Sequence, residues 1–213
     1  MKEMYLTPNQ YSRPGTPMKE VKGIVIHYVG NPESTAIANR NYFESLKNQD
    51  KTYASSHYIV GLEGEVIACV PENEVAYHAS QANGDHIGIE VCHPDASGRF
   101  RAVTYEALIG LVITICKRYH LNPLRDVIRH YDVTGKNCPN YYVEHIDEWD
   151  RFRQEVHDKM PLTKTRIRLN GKLKVVDTIN IAGYNYVKLR DLSDQYIGID
   201  YDNKEKVPIV KVK

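Results

Sequence analysis

Three short apolar runs, each ending on a polar side chain, constrain the fold of this chain more than any other feature. They read VKGIVIHYVG, HIGIEVC and DVIRH, and they carry His27, Glu90 and His130 at or near their ends. Runs of this length that are rich in Val and Ile predict buried strands. We treat these three residues, together with Lys136 and Cys138 of the following loop, as one candidate site.

The remaining patterns predict a domain that mixes strands with helices. Ser34 or Thr35 is suited to cap a helix that runs to about residue 47. Apolar residues recur at helical spacing over about residues 104–120 and 143–159, which predicts two further helices. SSHYIVGL and EVIACVP are separated by Glu-Gly, which predicts a hairpin. We therefore expect an α/β domain in which helices flank a mixed sheet.

A change in composition predicts a second domain. Met160 and Pro161 stop the last helix, and the sequence beyond LTKTR alternates and contains an Asn-Gly turn signal. RDLSDQY suggests one short helix, and GIDYDNKEKVPIVKV suggests a closing hairpin. We expect the α/β domain over residues 1–160, a linker over residues 161–165, and a small, mostly β domain over residues 166–213.

Charge and hydropathy limit the partners that this chain is expected to have. No apolar run approaches the length of a membrane span, and the N-terminal residues lack the apolar segment of a Sec signal peptide. We expect synthesis in the cytoplasm, no nucleic-acid partner, and another route to any extracellular target. Residues 161–213 carry 11 Lys and Arg against 6 Asp and Glu. This excess of positive charge favours an anionic surface as partner, and the alternative is that the excess charge is only solvated. The sequence leaves the oligomeric state open.

The four cysteines fall into two classes. Cys69, Cys92 and Cys116 lie inside apolar runs, where a free cysteine behaves as a small buried hydrophobe. Without a secretory signal we expect reduced thiols. Cys138 differs, because it lies in the polar stretch RHYDVTGKNCPN beside His130.

The candidate site has the residue types of a zinc hydrolase. Two imidazoles and a thiolate suffice to bind Zn²⁺ and leave a fourth position for water. A nearby carboxylate such as Glu90 would transfer the proton, and an ammonium such as Lys136 would stabilise the oxyanion. No CxxC pair occurs, so a structural four-ligand site is not expected.

Other readings of the same residues stay open at this point. Each histidine taken alone is more often a satisfied structural residue. Glu90 would be neutralised by an arginine such as Arg129, and Lys136 would be a solvated loop lysine. Cys138 and His130 would also form the nucleophile and base of a thiol hydrolase.

Residues from about Tyr11 to Met160 resemble the zinc-dependent N-acetylmuramoyl-L-alanine amidases, the family of phage endolysins, bacterial autolysins and peptidoglycan recognition proteins. The resemblance rests on YSRPGTP, VKGIVIHYVG, SSHYIVGLEGEVIACVP, AYHA, IGIEVCHP and RHYDVTGKNCPN, which occur in the family's order. It implies Zn²⁺ as the cofactor. The resemblance implies that His27, His130 and Cys138 bind the metal. It also implies that Glu90 is the catalytic carboxylate and Lys136 the electrophilic partner.

The resemblance also implies roles for two further histidines. His78 of AYHA would line the peptide groove, and His57 would be structural or would contact substrate. Some family members place a catalytic tyrosine before the histidine of the SSHY-type strand, where this chain has Ser56. That departure weakens a tyrosine-assisted mechanism and moves acid–base catalysis to Glu90.

The implied reaction is hydrolysis of the amide that joins N-acetylmuramic acid to L-alanine in peptidoglycan. We expect a phage endolysin of a Gram-positive host that acts on the cell wall after release. A bacterial or prophage autolysin and a non-catalytic muropeptide-binding recognition protein are the alternatives.

The C-terminal segment is similar to a small repeat domain of copper amine oxidase N-terminal regions and of Firmicute wall proteins. The similarity rests on LNGKLKVVDTINIAGYNYVKLRDL and GIDYDNKEKVPIV. It implies a module that binds the cell wall, with anionic wall polymers as partner. Residues 161–213 contain no His, Cys or Met, so copper is not expected. A role in stability or oligomerisation is the alternative.

Overall fold

The computed structural model divides the chain into two compact units, Met1–Lys159 and Met160–Lys213. The residues that it describes are 1–49, 52–161, 163–181, 184–205 and 207–213. Among them, no helix combines the length and apolar character needed to cross a bilayer.

The first unit contains one mixed six-stranded sheet. Its strands are β1 Lys2–Glu3, β2 Gly23–Tyr28, β3 Tyr58–Val60, β4 Val66–Ala68, β5 His86–Val91 and β6 Val127–Arg129. They lie in the order β1-β4-β3-β5-β2-β6. The β3–β4 pair is antiparallel, as the hairpin prediction requires, and the other neighbours are parallel. The predicted mixed sheet is therefore confirmed.

Helices pack against this sheet and against one another. They are α1 Ala36–Ser45, α2 Ala102–Tyr119, α3 Pro123–Asp126, α4 His130–Thr134, α5 Asn140–Glu144 and α6 Ile146–Lys159, with 3₁₀ turns at Leu46–Asn48 and Ser80–Gly84. Thr35 caps α1 by accepting from the Ala38 N–H at 3.2 Å. The single helix predicted to begin at Val143 is wrong, because His145 leaves the helical conformation and separates α5 from α6.

Strand alternation decides which side chains face the site. On β2, Ile24 and Ile26 point to one face of the sheet, while Val25 and His27 point to the other. The parallel register pairs His27 with Glu90 on β5, so both side chains lie on the same face. His27 and Glu90 thus each stand one residue before the end of a strand whose other residues are mostly buried and apolar.

Three of the cysteines are part of the buried interior. Cys69, Cys92 and Cys116 are free thiols with buried side chains, as predicted. Burial raises the pKa of each thiol to about 12, so each remains protonated near neutral pH.

The second unit consists mostly of strands, as predicted. They are β7 Thr163–Leu169, β8 Lys172–Ile181, β9 Tyr184–Val187, β10 Ile197–Asp202 and β11 Val207–Val212. The first three form one antiparallel sheet, and β10 and β11 form the predicted hairpin. Asn170 and Gly171 both have positive φ, as a tight Asn-Gly hairpin turn requires. Residues 163–165, assigned to the linker from the sequence, belong to β7.

The segment RDLSDQY contains only one turn of 3₁₀ helix, at Leu189–Leu192. Asp191 accepts from the Asp177 N–H at 2.6 Å, which ties this turn to β8. The short helix predicted there is therefore a tight turn held by the neighbouring strand.

Candidate metal centre

Three potential ligand atoms converge at the carboxyl ends of β2 and β6. The parallel pairing of Ile26 with Arg129 places the next residues, His27 and His130, side by side. Their Nδ1 atoms are 3.0 Å apart, and the Cys138 Sγ lies 3.9 Å from the Nδ1 of His27. All three candidate ligand atoms lie within 4.8 Å of one another.

The distances of 3.0 Å and 3.9 Å lie just below and just above the ligand separations of tetrahedral zinc. Bond lengths of about 2.0–2.1 Å to nitrogen and about 2.3 Å to sulfur give ligand separations of roughly 3.3–3.6 Å. His27 and Cys138 are each 2% exposed and His130 is 9% exposed, so the ligand set is shielded from solvent. Among the described residues this is the one cluster of His, Cys, Asp or Glu that meets the geometric requirement.

The electrostatic surroundings prepare the two imidazoles for metal binding. Burial lowers the pKa of His27 well below its usual value, and the nearby His78, His130 and Lys136 lower it further. Burial and Lys136 also lower the pKa of His130. Both rings are therefore neutral near pH 7 and have a lone pair available for a metal ion.

Without a metal, the surroundings of the Cys138 thiol disfavour its deprotonation. Burial raises its pKa to about 12, and Glu90 raises it as well, while the Tyr28 backbone N–H and Lys136 act in the opposite direction. A bound cation would displace the thiol proton, whereas an unassisted thiolate is disfavoured.

Local bonds shape the loop that carries Cys138. The N–H of Tyr131 donates to the Cys138 carbonyl at 3.0 Å, and the N–H of Cys138 donates to the Lys136 carbonyl at 2.7 Å. Gly135, with φ of 78°, ends α4 in the left-handed conformation that glycine tolerates. These contacts return the chain to His130 eight residues later.

Arg129 anchors this loop and does not neutralise Glu90. Its guanidinium donates to Asp132 at 2.6 Å and to the Tyr142 carbonyl at 2.9 Å. Glu90 Oε2 is buried and has no hydrogen-bond partner among the residues that the structure describes. The alternative in which Arg129 pairs with Glu90 is thus excluded.

Glu90 has the environment of a proton carrier. Burial raises its pKa to about 8, and the Lys136 ammonium partly opposes that shift. A carboxyl group whose pKa lies near neutrality both accepts and returns a proton readily. Lys136 is exposed at the rim of the same cleft, where its charge also acts on both imidazoles.

The cleft above the ligand atoms has a volume of about 230 Å³. Four aromatic residues line it, which the sequence analysis did not identify: Tyr28, Phe43, Tyr53 and Tyr77. Tyr53 is 58% exposed, and its ring meets that of Tyr77 edge-on at 5.6 Å. The abundance of tyrosine, 16 residues against one Trp, and the position of Tyr77 directly before His78 were the available signals.

His57 does not contact the cleft. It is fully buried, its Nδ1 accepts from the Gly88 N–H at 2.9 Å, and its Nε2 donates to the Glu74 carbonyl at 3.0 Å. Because both ring nitrogens are bound to backbone, the structure favours the structural role of His57 over contact with substrate. Ser56 is also buried, and its hydroxyl donates to the Tyr58 carbonyl at 2.9 Å.

The N-acetylmuramoyl-L-alanine amidase family (Amidase_2) matches residues 17–141. A probable N-acetylmuramoyl-L-alanine amidase of Bacillus licheniformis is 37% identical over 164 residues, which cover 71% of this chain and 46% of that protein. CwlL, an N-acetylmuramoyl-L-alanine amidase of the same organism, is 33% identical over 213 residues, covering 92% of this chain and 58% of that protein.

The fold is also similar to that of a solved structure, a mutant endolysin from Bacillus subtilis. The TM-score is 0.60 at 28% identity, and the match covers 73% of this chain and 97% of that one. The chain spans only about half the length of the curated relatives described above. Because the family match covers more than half of the sequence and includes His27, Glu90, His130 and Cys138, the chain belongs to the N-acetylmuramoyl-L-alanine amidase family.

Proposed function

We propose that this chain hydrolyses the amide between the lactyl group of N-acetylmuramic acid and L-alanine of the peptidoglycan stem peptide. The observation that carries this proposal is the convergence of His27, His130 and Cys138 beside the unpartnered carboxyl oxygen of Glu90. Membership of the amidase family supports the choice of substrate. The aromatic cleft suits a glycopeptide, because tyrosine offers both an apolar face and a hydroxyl group.

Zinc fits the proposed ligand set. His27 and His130 would bind it through Nδ1, and Cys138 through Sγ. When bound, the metal would supply Lewis-acid polarisation of the scissile carbonyl and acidification of water. The protein contributes the neutral imidazoles, the shielded thiol and the walls that limit access of bulk water.

Glu90 and Lys136 would divide the proton and charge chemistry. Glu90 would take a proton from the attacking water and return it to the alanine nitrogen, which leaves as an amine. Lys136 would approach the carbonyl oxygen as negative charge develops there. The loop 130–138 carries this lysine together with two of the three proposed ligands, so His130, Lys136 and Cys138 are held by one short segment.

A thiol-hydrolase mechanism is less compatible with the site. A nucleophilic cysteine needs a lowered pKa and access to substrate. Cys138 has the opposite properties, since its side chain is buried and burial raises its pKa to about 12. Measured turnover would distinguish an amidase from a non-catalytic recognition protein.

Digestion of purified Gram-positive peptidoglycan tests the proposed reaction. We expect new N-terminal alanine in the soluble products and intact glycan strands. New reducing sugar ends would indicate a glycosidase, and other new amino termini would indicate a peptidase. Tight binding without any release would favour the recognition-protein alternative.

We further propose that the chain acts as an endolysin of a Gram-positive host, reaching the wall after release from the cytoplasm. Similarity to a solved endolysin supports this role, and an autolysin is the alternative. Expression in the cytoplasm of a Bacillus host should cause lysis only after the membrane is permeabilised. Lysis without permeabilisation would contradict it.

The second unit is proposed to bind anionic wall polymers, as the wall-module resemblance implies. Arg166 and Arg168 are exposed and alternate along β7, so they share one face at an interval of about 6.6 Å. Lys164 lies on the same face and pairs with Asp177 of β8. The register places Arg166 opposite Val175 and Arg168 opposite Leu173, which are both exposed apolar residues of β8. A basic strip bordered by apolar groups suits a flexible polyanion.

Wall binding by full-length protein tests this second proposal. Arg166→Ser combined with Arg168→Ser should weaken binding to purified walls about fivefold at low salt. High salt should abolish the difference, because these charges are exposed. The control is Lys2→Ser combined with Lys19→Ser, which removes the same charge from the first unit. Equal loss in both double variants would contradict the proposed surface.

A further inference from the structure

A chain of hydrogen bonds leads away from the metal centre through two histidines. The Nε2 of His27, on the ring edge opposite its metal-facing Nδ1, lies 3.2 Å from the Nδ1 of His78. The Nε2 of His78 in turn lies 3.1 Å from the backbone carbonyl oxygen of His86. The chain therefore runs from the His86 carbonyl through the His78 ring to the His27 ring, which is the proposed metal ligand.

The carbonyl fixes the direction of every bond in this chain. A carbonyl oxygen only accepts, so the proton between His78 and His86 must belong to the Nε2 of His78. A neutral imidazole with a proton on one nitrogen accepts at the other. The Nδ1 of His78 is then an acceptor, and the Nε2 of His27 must donate to it.

We propose that His78 is a positioning residue that holds His27 in the Nε2–H tautomer and directs its Nδ1 lone pair at the metal. This inference rests on the metal site proposed above. It differs from the groove-lining role that the family resemblance implies for His78, because here the ring acts on a ligand through a bond at its buried edge. Such outer bonds fix ring orientation and raise ligand basicity.

The surroundings of His78 hold its ring in place. Asn83 Oδ1 accepts from the N–H groups of His78 and Ala79 at 2.8 and 2.7 Å. The ring lies directly on Gly88, where an added Cβ would be only 2.4 Å from the His78 Cγ. Burial and the neighbouring His57 lower the pKa of His78 well below its usual value, which keeps the ring neutral.

Zinc affinity measured by competition with a chromogenic chelator tests the inference. His78→Leu removes the acceptor and should weaken binding by about 10- to 100-fold. His78→Asn places an oxygen near the former Nδ1 position and should recover part of the loss. Gly88→Ala leaves His78 chemically intact but displaces its ring, so it should also weaken binding.

The matched control is His86→Asn, which removes a neighbouring imidazole but keeps the backbone carbonyl that His78 uses. Its zinc affinity should match that of the wild type. Wild-type affinity in folded His78→Leu would overturn the inference.

A second measurement needs no variant. Long-range ¹H–¹⁵N correlation spectra of zinc-loaded wild-type protein should show His27 and His78 each protonated at Nε2 and unprotonated at Nδ1. A proton on the Nδ1 of His78, or none on the Nε2 of His27, would overturn the inference while leaving zinc binding intact. Failure of the wild type to bind zinc at all would instead refute the metal site itself.

Discussion

The Nδ1 atoms of His27 and His130 lie 3.0 Å apart, although 103 residues separate them in the chain. The parallel pairing of β2 with β6 produces this approach, because each histidine follows directly after a paired residue. Two neutral imidazoles at this distance without a shared proton or cation would place their lone pairs against each other. A metal ion that both nitrogens bind removes that conflict.

Replacement of Cys138 tests whether this residue acts as a metal ligand or as a catalytic nucleophile. Cys138→Asp keeps an anionic donor that zinc accepts, so the variant should retain zinc and measurable amidase activity. Cys138→Ala should lose at least 10-fold in zinc affinity and most of its activity. The measurements are bound zinc per chain and turnover. Inactivity of a zinc-loaded Cys138→Asp variant would favour the thiol-hydrolase mechanism.

Removal of the Glu90 carboxyl group should lower kcat strongly but leave zinc binding intact. Glu90→Gln preserves the shape of the side chain and removes its proton-carrying function, so kcat should fall by about 10²- to 10⁴-fold. Glu106→Gln on α2 is the matched control, since it removes an exposed carboxylate that pairs with Lys159. Turnover of Glu90→Gln near the wild-type rate would exclude the proposed role.

Lys136 should affect both the rate and its pH dependence. Lys136→Met removes the charge that would stabilise the oxyanion, and kcat should fall by about 10²- to 10³-fold. The same charge lowers the pKa of Glu90, so its removal should raise that pKa. The base then becomes protonated at higher pH, and the acidic limb of the rate profile should shift upward. Lys117→Met is the control, and an unchanged profile in Lys136→Met would contradict the assignment.

His57 should make stability depend on pH below neutrality. Burial lowers its pKa from 6.5 to about 4, so the unfolded chain binds a proton more readily than the folded one. Its contribution is complete above about pH 6.5 and is lost as the pH falls toward 4, a total of about 3 kcal/mol.

Urea unfolding of metal-free protein checks this expectation. Between pH 7 and pH 5 the wild type should lose about 2 kcal/mol more than His57→Gln. The other titrating groups are common to both proteins and cancel in the difference. Equal losses would show that His57 is not buried as a neutral ring.

Much of the site was predictable, because its residues end recognisable strands or follow one. The apolar runs before His27, Glu90 and His130 predict β2, β5 and β6, and the family resemblance predicts their convergence with Cys138. The observed geometry agrees with that prediction. The roles in zinc binding and catalysis remain proposals.

Features that depend on tertiary contacts were not predictable from local pattern. The helix boundary at His145, where its ring stacks on Tyr141 at 4.3 Å, also had no signal in the local pattern. The burial of His57 and the contact of His78 with His27 depend on Gly88, whose missing side chain leaves space for the His78 ring. Neither relationship has a periodic signal in the sequence.

The most direct test is titration of metal-free protein with Zn²⁺ while the release of N-terminal alanine from purified peptidoglycan is measured. The proposed mechanism predicts no release without metal and a linear rise that ends at one zinc per chain. It also predicts that Glu90→Gln binds the same amount of zinc without restoring release. Full release of alanine by the metal-free protein, or zinc-dependent release of a different terminus, would contradict the account.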